Sequence, residues 1–143
     1  MSIWTHVAGV IRIDDFRLYR ETPDFDILIG KECLWDNEHG VWEDQEANPD
    51  KYLPMGSEGS LEKSIWINPD RDQLAAYTVT VFGDLRDYDK VDEIKNWFEG
   101  VCNRLGVCVR NAVITIECEI GDTIVCRYNQ DSKTLDVLEV FKE

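Results

Sequence analysis

The sequence predicts a single α+β domain, an antiparallel sheet served by one amphipathic helix, and three observations carry that prediction. Segments with the alternating apolar pattern of strands flank one stretch, residues 90–105, in which apolar residues recur at steps of three and four. The 143 residues suit one hydrophobic core, and no repeat, low-complexity tract or Pro/Gly/Ser-rich linker divides them. A hydrophobic share of 43% is globular, while no apolar run approaches the roughly 18 residues of a spanning helix.

The first element is a strand over Ile3–Ile13. Ile3, Val7, Ile11 and Ile13 fall on one side and Trp4, Ala8 and Val10 on the other, so both faces are largely apolar, as in a central strand. From Asp14 to Lys31, apolar residues such as Phe16, Leu18, Phe25 and Leu28 are interrupted by Pro23, which predicts short helical pieces. A hairpin follows. With its turn at Asn37–Gly40, Trp35 stands directly opposite Trp42, a cross-strand aromatic pair worth about 0.2–1 kcal/mol over alanines.

The run Gly56-Ser57-Glu58-Gly59-Ser60 reads as a turn that opens a strand over Leu61–Ile67. As a phosphate cradle it is poor, because Glu58 repels phosphate and no helix start follows. A second strand, Ala76–Phe82, pairs with the first as an antiparallel hairpin. In the helix over 90–105, Val91, Ile94, Phe98, Val101 and Leu105 form the core-facing stripe. Asp89 is placed to cap its start, Asp92 and Glu93 to complement its dipole, and Gly106 to end it.

The last third reads as a meander of Ala112–Ile120, Thr123–Tyr128 and Leu135–Phe141. A three-residue loop, Gly121–Thr123, sets Ile120 against Ile124, Cys118 against Cys126 and Glu117 against Arg127. In this register the two cysteines are neighbours on the buried face, both reduced. The order of elements resembles the split β-α-β motif of ferredoxin-like folds, with an acidic hairpin and a C-terminal meander added.

Charge is the feature that folding rules explain least. Seven acidic residues and no Lys or Arg lie between Glu32 and Asp50, which is half of the net charge of -14. Two of the five tryptophans, Trp35 and Trp42, share that window. An anionic surface carrying aromatic rings has the character of a docking face, since charge steers encounter and buried rings supply contact energy. Trp35, Asp36, Glu38, Trp42, Glu43, Asp44 and Glu46 are the candidate binding residues. The two rings have a second reading, as side chains that close the edge of the core.

A pI near 4.4 argues against direct nucleic-acid binding, which rests on Lys and Arg at phosphates. The expected partner is a protein with a basic surface. Five cysteines lack C-x-x-C spacing and have only His6 and His39 beside them, so neither a zinc site nor a cofactor is expected. Met1–Thr5 has neither the basic nor the long apolar region of a signal peptide, which predicts an unprocessed cytoplasmic chain. Asp84, Asp87, Asp89 and Asp92 superficially suggest a hard-cation site, with Asp84, Asp87 and Asp89 its core, but the glycine of an EF-hand loop is missing. Turn and cap chemistry accounts for them.

The stretches Ser2-Ile3-Trp4-Thr5-His6-Val7-Ala8-Gly9-Val10-Ile11-Arg12, Gly56-Ser57-Glu58-Gly59-Ser60-Leu61 and Phe82-Gly83-Asp84-Leu85-Arg86-Asp87-Tyr88 resemble small uncharacterised proteins encoded by phages and prophages of Gram-positive bacteria. The resemblance spans most of the chain up to about Tyr128 and implies a protein made during infection or lysogeny. It implies no catalytic residue.

Three function classes follow from these readings. One is a binding module, an inhibitor of a host defence or nucleic-acid enzyme whose acidic face mimics phosphates. The second is an assembly accessory that self-associates through strand edges or the tryptophan-bearing hairpin. The third is an enzyme, with a carboxylate metal site or with Cys102 or Cys108 beside His6 as a thiol-imidazole pair.

Overall fold

The computed structural model describes residues 2–14, 24–42, 51–69 and 76–142. Its described residues form one six-stranded antiparallel sheet, a principal helix on one side of it, and two small hairpins. The strand β1 (Trp4–Ile13) has the central place that its apolar pattern predicts, paired on one side with β7 (Tyr77–Arg86) and on the other with β8 (Val109–Cys118). Outside these lie β6 (Glu62–Ile67) beyond β7, and β9 (Thr123–Asn129) and β10 (Thr134–Phe141) beyond β8. The hairpins are β2 (Trp35–Asp36) with β3 (Val41–Trp42), and β4 (Met55–Gly56) with β5 (Gly59–Ser60).

Two helices accompany the sheet. The single turn α1 (Phe25–Leu28) is capped by Asp24, whose carboxylate accepts from the backbone N–H groups of Asp26 and Ile27 at 3.1 and 3.4 Å. The rest of the region read as short helical pieces, residues 15–23, lies outside the described residues. The helix α2 (Val91–Leu105) crosses from β7 to β8, and these two strands flank β1 and run parallel to each other. They make a split β-α-β unit. Gly106, at φ 63°, ends α2 as its sequence predicts, with its N–H on the Cys102 carbonyl. The start differs from expectation. Lys90 holds the cap position with no side-chain hydrogen bond, so Asp89 is not the cap.

One face of the sheet meets α2. From the sheet Val7, Ile11, Val79, Val81, Leu85, Ile114 and Ile116 are buried, and from the helix Ile94, Phe98, Val101, Cys102 and Leu105. Burying each aliphatic or aromatic side chain of this kind contributes about 1.5–3 kcal/mol. Gly9 makes room for the contact, because a Cβ there would stand 3.3 Å from Phe98 Cε2 and 3.0 Å from Val81 Cγ2. The helix can therefore sit close over β1. No described element covers the other face, where Ala8 and Arg12 are exposed and Trp4, His6 and Val10 half-buried. The two-sided apolar pattern of β1 located it correctly but misrepresented its second face.

Two further expectations are corrected. The strand read as Ala76–Phe82 continues to Arg86, because Gly83 takes φ 148° within the ladder and so does not end it. The β8–β9 register is shifted by four: Ile116 faces Ile124, Ile114 faces Cys126 and Glu117 faces Thr123. The predicted and observed registers have the same parity, so both match apolar with apolar, and the hydrophobic pattern could not separate them. The turn decides. Gly121 N–H bonds the Cys118 carbonyl at 2.9 Å, which leaves residues 118–122 outside the β8–β9 ladder. Cys118 is thus opposite Thr5 of β1 and not opposite Cys126, although both cysteines are buried.

Candidate docking surface

The acidic window is an excursion with a closed base. Lys31 N–H bonds the Lys51 carbonyl at 3.0 Å and Leu53 N–H bonds the Lys31 carbonyl at 2.9 Å, so the chain leaves and re-enters the body at adjacent points. Gly30 permits this closure: at φ 125° it brings its Cα beside Tyr52 and Leu53, where a Cβ would stand 3.1 Å from their backbone. Cys33 N–H bonds Ser60 Oγ at 3.0 Å, tying the window to the β4–β5 hairpin.

Within the window the predicted hairpin forms, with its turn at residues 37–40 and Trp35 paired across from Trp42 in Cα register. Trp35 is 47% exposed, Leu34 59% and Val41 53%, and none of the three belongs to the core cluster. Glu38 and His39 at the turn are exposed. Trp35 is thus half in water, at the margin of the body rather than among its buried residues. Asp36 is placed by its backbone, opposite Val41. Glu43, Asp44 and Glu46 lie outside the described residues.

At the base, Lys31 Nζ stands 5.0 Å and Lys51 Nζ 6.0 Å from the centre of the Tyr52 ring, so a buried aromatic collects two cations where the chain leaves and re-enters the body. Tyr52 also lines a groove of about 670 Å³ with Met55, Asp87, Lys90, Trp97 and Arg104. Trp97 Nε1–H and Arg104 Nε–H donate to the Ile29 and Leu28 carbonyls at 3.2 and 3.0 Å, which fixes α1 and the approach to the loop against α2.

The aspartates weighed as a metal site are separated by the fold. Asp84, being on β7 rather than in a turn, reaches Nδ1 of His6 at 2.6 Å. Asp87, in the left-handed region at φ 55°, accepts from Ser57 Oγ at 2.8 Å. Among the described residues no group of three His, Cys, Asp or Glu side chains is arranged to hold a metal ion.

A second polar centre was not foreseen from the sequence. His6 has both ring nitrogens on carboxylates, Asp84 on one side and Glu119 at 3.1 Å on the other, and its pKa is raised chiefly by the Asp84 hydrogen bond. Only the strand pairing of His6 with Asp84 and Glu117 reveals it, because these residues are 78 or more positions apart. The thiol-imidazole pair is contradicted by placement: His6 points to the uncovered face, while Cys102 and Cys108 belong to the core on the helix side. Burial also pushes the Cys102 thiol up to about 12, which keeps it protonated.

Among the described residues no helix is long and apolar enough to cross a membrane. Comparison with protein-family models, with curated proteins and with solved structures returned no match.

Proposed function

We propose that the chain is an acidic protein-binding module that docks on a basic surface of a partner protein through its 32–50 loop. We read it as phage- or prophage-encoded, in line with the resemblance of its first 128 residues, and as an inhibitor that occupies the phosphate-binding groove of a host defence or nucleic-acid enzyme. The observation that supports docking most directly is Trp35, half-exposed outside the core on a hairpin whose base is closed by backbone bonds. A large ring held on a pinned loop loses little conformational freedom on binding, which is what makes such rings effective anchors. The surrounding carboxylates add steering toward positive charge.

The same reading extends to the fold. The antiparallel order β8-β1-β7-β6, with α2 crossing between β7 and β8, supports a ferredoxin-like core to which β9 and β10 are added. That fold carries many functions, so the function rests on the loop. Binding rather than catalysis is also favoured by the state of the nucleophiles: the five cysteines are buried and His6 is occupied by two carboxylates.

Affinity capture from extract of a Gram-positive host, followed by mass spectrometry, tests the proposal. A basic partner released by salt at about 0.5 M is expected. Trp35→Ala, and separately the set Glu38→Gln, Glu43→Gln, Asp44→Asn and Glu46→Gln, should each reduce its capture. Unchanged capture by both variants overturns the docking model.

A further inference from the structure

The uncovered face of the sheet has a charge pattern that is complementary to itself. On the three inner strands its central rows are apolar or neutral: Phe82, Ala8 and Thr115 lie abreast, and Thr80, Val10 and Val113 abreast in the next row, with Glu62 beyond Phe82 and Arg127 beyond Val113 at the rims. Toward the start of β1 the face turns acidic, with Asp84 and Glu117 on either side of His6 and Glu119 on its ring. Toward the end of β1 it carries Arg12, flanked by Thr78 and Asn111, with the exposed Trp66 one strand further out. Acidic end, neutral middle and basic end thus follow one another along the three inner strands β7, β1 and β8.

We propose that this face binds a second copy of the chain, sheet against sheet. A two-fold axis that passes over Gly9 midway between the two sheets, about 5 Å from each, parallel to the sheets and perpendicular to the strands, reverses the strand direction of the second copy. Arg12 of each copy then lies over His6 of the other, between its Asp84 and Glu117. Val10 lies over Ala8. Two aligned sheets about 10 Å apart interdigitate in this way in β-sandwiches. From strand spacing and rise, the face offers roughly 600 Å² per copy. Two copies together therefore reach the lower bound of about 1,200 Å² for stable interfaces. Each copy carries a net charge of -14, so association depends on setting the acidic end against the arginine end. A weak, reversible dimer is the result.

Sedimentation of the full chain at about 0.1 mM should show a reversible dimer of twice 16.6 kDa. Arg12→Glu and Glu117→Arg should each weaken it about tenfold or more, and the double variant, in which the opposed charges are exchanged, should recover most of the loss. Thr115→Arg, which places a long charged side chain in the apolar rows, should give a monomer. Far-UV circular dichroism and a urea midpoint verify that each variant is folded. A wild-type monomer at this concentration overturns the proposal. So does a dimer that Arg12→Glu and Thr115→Arg leave unchanged, because its seat is then a strand edge or the tryptophan hairpin, and so does a double variant no better than the singles.

Discussion

Nδ1 of His6 lies 2.6 Å from Oδ1 of Asp84, a contact that bridges two neighbouring strands on the uncovered side of the sheet. Glu119 completes the clasp from beyond the end of β8, and both carboxylates favour the imidazolium. The folded-state pKa of His6 is therefore raised above its ordinary 6.5. A raised pKa means that the folded state holds the proton more tightly, so its stabilisation is complete below 6.5 and is lost as pH rises through the folded value. Urea midpoints should fall over that interval in the wild type, and His6→Gln should flatten the fall. The ring and its partners are 38–63% exposed, so the whole effect stays under about 1 kcal/mol.

Gly9→Val tests the close approach of α2 to β1. A Cβ at this position already meets Val81, Ile114 and Phe98 at 3.0–3.3 Å, and two further methyl groups have no space. Denaturant unfolding should show a loss of about 1–3 kcal/mol, the usual cost of overpacking. Chemical-shift changes should concentrate at Phe98 and Ile114.

Trp35 and Phe98 provide a contrast between surface and core. Phe98 is fully buried, and Phe98→Ala should cost about 3–5 kcal/mol. Trp35→Ala should cost under about 1 kcal/mol, because the ring keeps nearly half of its surface in water. Equilibrium unfolding of the two variants decides it. A large loss for Trp35→Ala would return that ring to a structural role.

All five cysteines are unbridged thiols and buried. Iodoacetamide at neutral pH should leave the folded chain unlabelled and modify five thiols in urea, as read by intact mass. Cys102 should be among the slowest to react before unfolding, since burial and the nearby Glu99 both hold its thiol protonated.

Much of the architecture is legible in the residues. The period-3.6 stripe located α2, and Asn37–Gly40 between two tryptophans gave the hairpin and its register. What remained hidden has physical causes. Gly83 resembles a turn signal, yet in the ladder it allows Leu61 Cδ2 to lie where a Cβ would be 3.2 Å away, and the strand runs on. The β8–β9 register was ambiguous because a slip by an even number of residues preserves every face. The His6 centre depends on side chains brought together by pairing across three strands, a long-range relation that local pattern does not encode.

The backbone bonds between Lys31, Lys51 and Leu53 make the acidic window topologically an insertion. Its two ends already touch, and Cys33, just inside the first of them, is tied back to Ser60 of the β4–β5 hairpin. Loop entropy changes by only about 0.6 kcal/mol for each doubling of length, and the window can be lengthened, recharged or replaced by a short turn at small cost to the fold. On the docking function proposed for this loop, partner recognition and the closing of the fold fall largely on separate stretches of chain. A lineage under pressure from a changing target could rewrite residues 32–50 while every strand of the sheet stays as it is.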